Sequence, residues 1–453
     1  MLPTPKVRRA KSVTERALPQ SCRNPGHMRS EWKSYIVVLL ALGPALICMA
    51  QSPTPSQPAT LDSAFEELPE LKASEILKPE FLKGPHFVVR EPVPTRSGMN
   101  EFTIDSEFGL FQADGNEMLL RRVKEIDAIA RLREVSRGEE FKKSLIAAAK
   151  SPLNSAKNIV RDPVEAISNV PKGVMKFMGR AKETVRGIGK KGDDGEGRTM
   201  QQMIGYSRTQ RKIALAMGVD PYTTNTLLQK ELEEIAWASW AGGFTFSAAI
   251  FPVSGPVGAA LTVTNLSSSI DGLLQNKTPA ELEQINRSAF RAMGASGSDA
   301  DRILKGGAFT PTQSTAFAVN LKSLKGVANR GAFVKAAAQK SSNEADAIFC
   351  VQTAALMSQI NEESPLARIA MLGDFPVCVG KDGSVIVALQ WDYAAWTPGA
   401  ASLATQVEEL AAQSGEKKPV RVVVSGEMSP RFEQALLARG FALQDRARPG
   451  PLK

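Results

Sequence analysis

Residues 235–270 read IAWASWAGGFTFSAAIFPVSGPVGAALTVTNLSSSI and carry no charged side chain, although 23% of the chain is charged. A segment of this length must leave water, either in a protein core or in a bilayer. A membrane-spanning helix needs about 20 apolar residues, but Pro252 and Pro256 leave uncharged arms of only 17 and 14 residues. We therefore predict a buried helical hairpin that turns at 251–256. The alternative is a hairpin that enters a membrane.

The chain on both sides of this apolar stretch has the pattern of short, capped helices. Apolar residues recur at helical spacing from Asn116 onward, which is typical of an amphipathic helix. Thr278-Pro279 and Thr310-Pro311 are typical helix starts, with threonine as the N-cap and proline at the first helical position. These signals predict an orthogonal helical domain over 116–342, built around the apolar hairpin 235–270.

The pattern changes to strands at the two ends of this helical region. Two β-rich runs flank Asp382-Gly383, a typical hairpin turn, and strand and helix patterns then alternate to the end of the chain. We expect a small mixed-sheet α/β domain over 343–453. Residues 85–115 contain short strands, too few for a domain alone, which we expect to join a sheet formed elsewhere. The predicted class is therefore α+β and predominantly helical.

The first 50 residues have the pattern of a signal peptide. A basic lead is followed by the apolar run 35–49 and by small residues before Gln51, as in a secretory leader. We predict cleavage after Ala50, a true start at Met28 and a periplasmic or secreted product. The alternative is a lipoprotein anchored at Cys48. Residues 51–84 begin as a Pro/Ser-rich spacer and continue as a segment of undetermined structure.

Most of the excess positive charge of the chain lies in this leader. The formal net charge is +9, and residues 1–33 contribute +6 of it. The remaining excess is too small to indicate a nucleic-acid-binding surface. Nucleic acid is therefore excluded as the expected partner.

A basic amphipathic pattern lies at 171–191. Apolar residues step along one face by three and four, and cations take the remaining positions. A helix of this kind lies on anionic membranes or on an acidic partner. The alternative is a core-packed helix with a solvated cationic face. The predicted contact residues are Lys172, Lys176, Arg180, Lys182, Arg186 and Lys190.

Cysteine and histidine usage limits the available chemistry. Cys350 and Cys378 lie beyond the leader, and in an exported protein we predict a disulfide between them. Two separate buried thiols are the alternative. His27 and His86 are the only histidines, so a multi-histidine metal centre is excluded and no metal or cofactor is predicted.

Two further stretches have a functional and a structural interpretation. The aromatic run 391–396 would line a sugar or peptide groove, but rings that cover a sheet edge are the favoured interpretation. The turn 424–427 precedes a helix and would offer amides to an anion. Its single glycine is far short of a phosphate-binding fingerprint.

These features predict an exported cell-envelope protein with a non-catalytic interaction role. The expected partner is an anionic membrane surface or another envelope protein. Two alternatives stay open: a pore-forming protein that inserts 235–270 into a bilayer, and an enzyme whose chemistry does not need histidine.

Overall fold

The computed structural model describes residues 65–150, 194–246, 268–413 and 417–453, and it confirms the broad α+β class. The strands are β1 (Glu70–Lys72), β2 (Lys83–Gly84), β3 (Phe87–Val89), β4 (Pro92–Arg96), β5 (Met99–Ser106), β6 (Gly109–Asp114), β7 (Leu366–Leu372), β8 (Phe375–Gly380), β9 (Val385–Leu389), β10 (Tyr393–Ala394), β11 (Val420–Val424), β12 (Glu427–Met428) and β13 (Ala442–Gln444).

Helices account for most of the remaining described residues. They are α1 (Ala73–Ile76), α2 (Pro79–Leu82), α3 (Asn116–Arg137), α4 (Glu139–Lys150), α5 (Asp194–Ala216), α6 (Thr226–Gly242), α7 (Ser268–Asn276), α8 (Pro279–Ala292), α9 (Gly297–Lys305), α10 (Pro311–Ser323), α11 (Arg330–Lys340), α12 (Glu344–Glu363), α13 (Pro398–Ala412) and α14 (Pro430–Ala438).

The N-terminal strands form a sheet of their own, in contrast to the prediction that they join a sheet formed elsewhere. The strand order is β1-β4-β5-β3-β2, with β6 paired to β5, and every pairing is antiparallel. The partners β1 and β2 come from the segment before residue 85. The alternation of buried and half-buried residues along β5 gives the sheet one apolar face.

Helix α3 joins this sheet to the rest of the protein. Its first half packs on the sheet through Met118, Leu119 and Val123. Its second half, with Ile129 and Leu132, belongs to a separate core that includes side chains from α4, α5 and α6. A 22-residue helix is about 33 Å long, which is enough to serve both cores.

The apolar stretch that begins at Ile235 is described only at its two ends. Helix α6 ends at Gly242, and Gly243 follows in the left-handed conformation, well before the predicted turn at 251–256. A glycine in this conformation ends a helix. The first arm is therefore shorter than predicted. Residues 247–267 lie outside the described part of the chain.

Helices α8 and α10 start where the sequence predicts. Thr278 and Thr310 each form a capping box, with Glu281 and Gln313 as the reciprocal partners. Helix α9 is capped by Ser296. One continuous core, from Ile270 to Val423, contains residues of helices α7 to α12 and of strands β7, β8, β9 and β11.

The C-terminal sheet has the order β13-β11-β9-β8-β7. Strands β9, β11 and β13 are parallel, whereas β7 and β8 are antiparallel. The core from Ile270 to Val423 covers one face of this sheet. Helices α13 and α14 pack on the opposite face through a second core that includes Trp396 and Phe432. The β8–β9 hairpin turns at Asp382-Gly383 as predicted, and β7 is an additional strand that the sequence patterns did not indicate.

None of the helices within the described ranges combines the length and the apolar character that a membrane crossing requires.

Candidate functional site

The predicted cationic contact residues lie outside the part of the chain that the structure describes. Lys172, Lys176, Arg180, Lys182, Arg186 and Lys190 all fall in the range 151–193. Their role in binding stays a prediction.

The predicted disulfide is absent, because Cys350 and Cys378 are both free, buried thiols. Cys350 lies on α12, with its Sγ 3.6 Å from the hydroxyl of Ser341. Cys378 lies on β8 between Ile369 and Ile386 of the neighbouring strands. A disulfide needs a narrow Cα separation, which sequence spacing does not determine. Burial raises the pKa of each thiol to about 12, so neither is a nucleophile near neutral pH.

In the aromatic run 391–396, Trp396 is part of the core, whereas Trp391 and Tyr393 are half-buried. Trp396 is fully buried, stacks edge-on against Phe432 and lies under the guanidinium of Arg439. Trp391 is covered by Gly98 of the β4–β5 turn, where a Cβ would come within 2.7 Å of its ring. These contacts favour a structural role for Trp391 and Trp396.

The turn 424–427 uses its amides internally. The N–H groups of Ser425, Gly426 and Glu427 donate to the carbonyl oxygens of Leu389, Trp391 and Asp392, respectively. A side chain at Gly426 would clash with the Asp392 backbone. These amides are therefore not available to an anion.

Asp392 joins the C-terminal sheet to the N-terminal sheet and α3. Its Oδ2 accepts hydrogen bonds from the backbone N–H groups of Asn100 (3.0 Å) and Asn116 (2.9 Å), and its own N–H donates to Gly98. Asn116 begins α3, whose N-cap residue, Gly115, has no side chain to serve this purpose. The carboxylate of Asp392 therefore caps α3 from a distant part of the chain.

The environment of Asp392 favours its protonated form. Burial raises the pKa of this carboxyl to about 7, the two backbone amides lower it, and the nearby Glu117 raises it. The residue is 2% exposed. A carboxyl group with this pKa titrates in the physiological range.

A set of buried and half-buried charged residues continues from Asp392 along α3, and we call it the ionic junction. Its members come from α3, the loop 218–225, α12, the end of β9 and the C-terminal tail. They are Glu117, Arg121, Arg122, Glu125, Asp220, Glu344, Asp392 and Arg448.

Glu125 and Arg122 form the centre of the ionic junction. The Glu125 carboxylate accepts hydrogen bonds from the hydroxyl of Thr223 and from the side-chain amide of Asn225 (3.0 Å). Arg122 pairs with Glu125 at 2.6 Å and with Glu344 of α12 at 3.6 Å. Three separate segments are thereby held together by one acid and one base.

Asp220 fixes the loop 218–225 to α10 and α3. Its carboxylate accepts hydrogen bonds from the Thr312 hydroxyl (2.5 Å) and from the backbone N–H of Tyr222 (2.8 Å). Arg121 lies 3.9 Å away. Burial raises the pKa of Asp220, Arg121 and the two hydrogen bonds lower it, and Glu125 raises it.

The two ends of the described chain each contact segments that are distant in sequence. The Glu66 carboxylate accepts hydrogen bonds from the Trp396 N–H (2.5 Å) and the Ser429 hydroxyl (2.6 Å), at the starts of α13 and α14. The C-terminal tail returns to α1, where the Lys453 amide donates to Ile76 and its Nζ donates to the Ser74 carbonyl.

The ion pairs and hydrogen bonds of the ionic junction connect separate segments of the chain. Its carboxylates are engaged by cations, hydroxyls or backbone amides, most of them from other segments of the chain. Among the described residues, no group of three His, Cys, Asp or Glu side chains is arranged to hold a metal ion. Sequence reasoning missed the junction, although an aspartate between Trp391 and Tyr393 at a strand end was a usable signal.

Comparisons with protein-family models, with curated proteins and with solved structures gave no match.

Proposed function

We propose that this chain is an exported cell-envelope protein, periplasmic in location, with a non-catalytic interaction role. Its partner is an anionic membrane surface or a second envelope protein, and the contact surface is the cationic segment 171–191. The basic lead, apolar run and small residues before Gln51 support export. The spacing of cations in 171–191 supports the partner class.

The observation that carries the non-catalytic role is the use of the buried charges. In the described part of the chain, Glu125, Asp220 and Asp392 each connect segments that are distant in sequence. A catalytic carboxylate needs an approach for substrate and a free acceptor position. These carboxylates instead hold the sheet, α3 and the loop 218–225 in one arrangement, which suits a rigid body that presents a binding segment.

Export is tested by expressing the chain from Met28 and fractionating the cells. N-terminal sequencing of a periplasmic product should give Gln51. An uncut product that stays in the cytosol contradicts export and with it the envelope role.

Membrane binding is tested by sedimentation with vesicles of phosphatidylcholine and phosphatidylglycerol. Replacing the six predicted cationic contact residues by glutamine should abolish sedimentation with the anionic vesicles, since each cation near the surface contributes about 1 kcal/mol. A matched control replaces six exposed lysines of the described surface and removes the same charge. The control positions are Lys83, Lys212, Lys322, Lys325, Lys335 and Lys381.

Equal loss in the two variants would indicate that only net charge matters, against a specific contact segment. Retention of binding in both would remove 171–191 from the proposal. If the wild-type protein ignores anionic vesicles but is captured by an envelope protein, the partner is that protein.

A second candidate function is insertion of residues 235–270 into a bilayer. Tyr206, Trp237 and Trp240 form a half-buried aromatic group on α5 and α6, with ring centroids 5.7–6.3 Å apart. Half-buried Trp and Tyr rings suit the interface between membrane and water. Dye leakage from anionic vesicles between pH 5 and pH 7.5 tests insertion, and intact vesicles across that range contradict it.

We also propose a finer division of the fold: an orthogonal helical domain over 116–342 around the apolar hairpin, and an α/β domain over 343–453. Limited proteolysis tests it. Cleavage near residue 343 should release fragments that stay folded. Because one apolar core contains residues from both sides of that boundary, loss of structure in both fragments would contradict two independent domains.

A further inference from the structure

Glu233 of α6 is a buried acid without an ion-pair partner in the described part of the chain. The residue is 9% exposed, and its carboxylate forms no hydrogen bond with another described residue. Its backbone carbonyl accepts a hydrogen bond from the Tyr206 hydroxyl at 3.4 Å. Burial alone raises the pKa of the Glu233 carboxyl to about 7. Glu233 therefore changes its charge close to neutral pH.

The helices that pack against α6 do not neutralise Glu233. These helices are α3, α4 and α5. Arg133 of α3 pairs with Glu231 at 2.8 Å, and residues two positions apart on a helix do not face each other. Tyr206 is the titratable group of α5 that faces Glu233. None of the further described charges nearby forms an ion pair with Glu233: Asp127, Arg131, Glu134 and Arg137 in the second half of α3, Glu139, Glu140, Lys142 and Lys143 on α4, Arg208, Arg211 and Lys212 on α5, and Lys230 and Glu234 on α6.

An aromatic group shares this face of α6. Trp237 and Trp240 follow Glu233 by four and seven positions, which places the three side chains on one side of the helix. The centroid of the Tyr206 ring lies 6.1 Å from that of Trp237 and 6.3 Å from that of Trp240, and all three rings are half-buried. Half-buried Trp and Tyr side chains are enriched where a membrane meets water. The buried acid is therefore next to a group that suits contact with a bilayer.

Two further acids lie at the ends of the apolar stretch 235–270. Glu234 precedes it, and Asp271, in the first turn of α7, follows it. Both are half-buried. Burial raises the pKa of Asp271; it also raises the pKa of Glu234, which Glu231 raises further and Lys230 lowers. Helices α5 and α10 pack against α7, and none of their described charged residues forms an ion pair with Asp271: Arg208, Arg211, Lys212 and Lys322.

The charge of these acids limits the length of the apolar arms. With all three acids charged, the uncharged arms before Pro252 and after Pro256 are 17 and 14 residues long. With all three protonated, the arms extend to 232–251 and 257–276, which are 20 residues each. A helix needs about 20 such residues to cross the hydrocarbon layer, and a charged carboxylate within it opposes insertion strongly.

We propose that Glu233, Glu234 and Asp271 control the entry of the apolar stretch into a bilayer: their charge prevents entry, and their protonation permits it. This control rests on bilayer insertion, the second candidate function. Near pH 7.5 the acids are largely charged, and the arms are too short to cross. As the pH falls toward 5 the acids become neutral, and the aromatic group directs α6 to the membrane interface.

The test is dye leakage from vesicles of phosphatidylcholine and phosphatidylglycerol between pH 7.5 and pH 5. The leakage rate at pH 5 should exceed the rate at pH 7.5 by about tenfold or more, because a charge within a spanning helix reduces insertion by at least this factor. Intact vesicles at every pH would refute bilayer insertion itself. Leakage at one rate throughout this range would leave insertion intact and overturn its control by these acids.

Variants identify the acids. The triple variant Glu233→Gln, Glu234→Gln and Asp271→Asn imitates the protonated state, so its leakage rate at pH 7.5 should match that of the wild type at pH 5. A matched control removes the same charge from three exposed acids and should keep the wild-type pH profile. The control substitutions are Glu139→Gln, Glu140→Gln and Asp374→Asn.

A wild-type pH profile in the triple variant would overturn the assignment, and so would an equal change in the control. If the triple variant does not fold, the single variant Glu233→Gln decides the result. It should move the midpoint of the leakage curve to higher pH, because one charge fewer opposes insertion. An unchanged midpoint would overturn the proposal.

Discussion

Replacing Asp392 by alanine removes the acceptor that two buried backbone amides share. The N–H groups of Asn100 and Asn116 donate to Asp392 Oδ2 at 3.0 and 2.9 Å. Leaving a buried donor without a partner costs about 1–3 kcal/mol. We therefore expect Asp392→Ala, which also removes the cap of α3, to lower the free energy of unfolding by about 2–6 kcal/mol.

Replacing Asp392 by asparagine keeps a side-chain oxygen for those amides and removes the charge. Because burial raises the pKa of Asp392 to about 7, the folded protein binds this proton more tightly than the unfolded chain, where the pKa is about 3.9. The stability that the protonated carboxyl contributes is complete below about pH 4 and is lost as the pH rises toward 7. The loss is about 1.4 kcal/mol per pH unit.

The assay is urea unfolding, followed by tryptophan fluorescence, at pH 5, 6, 7 and 8. Relative to the wild type, Asp392→Asn should gain up to about 3 kcal/mol between pH 5 and pH 7 and little more above pH 7. The control Asp114→Asn alters an exposed carboxylate of β6 and should show no such trend. A constant difference between Asp392→Asn and the wild type would refute the buried titration. Equal stability of the alanine and asparagine variants would refute the cap.

Three further predictions concern backbone contacts and the thiols. Gly98→Ala should lower the free energy of unfolding by about 3 kcal/mol, because the new methyl group would clash with the Trp391 ring and φ is positive at this position. The control Gly307→Ala, with positive φ but open space around it, should lower it by only about 1 kcal/mol. Urea unfolding measures both. Gly242→Ala should destabilise the protein by about 2 kcal/mol or more, because the methyl group would clash with the α4 backbone. The control Gly272→Ala, on a helix with open space, should be neutral or stabilising by up to about 1 kcal/mol. Thermal unfolding measures both, and effects of the opposite sign would contradict the packing of Gly242 on α4. The buried thiols of Cys350 and Cys378 should resist alkylation by iodoacetamide at pH 8 until the chain is unfolded in guanidinium. If neither thiol is labelled after unfolding and the protein mass is lower by two hydrogens, the two cysteines form a disulfide instead.

Local signals predicted local structure well. The threonines that open α8 and α10 are capping-box residues because both partners lie within four positions of each other. The Asp382-Gly383 turn joins β8 and β9 for the same reason. Gly243 shows the limit of this approach: an apolar run predicts burial, but the glycine pair 242–243 ends α6 regardless of the apolar residues that follow.

The pairing of strands in the N-terminal sheet could not be predicted from local sequence signals. Strand β1 pairs with β4, and β2 pairs with β3, although both come from a segment with little strand pattern. Short strands depend on their neighbours for stability, so their pattern alone is weak. The disulfide prediction was wrong for a related reason, since a separation along the chain does not determine the position of two side chains.

The sequence by itself determined the α+β class, the starts of α8 and α10, the Asp-Gly hairpin and the exclusion of multi-histidine chemistry. These properties depend on composition or on residues only a few positions apart. The tertiary structure alone decided the ionic junction, since the carboxylate of Asp392 meets the amide of Asn100 across 292 positions of the chain. A buried charge takes its partner, its pKa and its role from groups that only folding brings within a few ångströms, and that is the physical reason the sequence could not supply them.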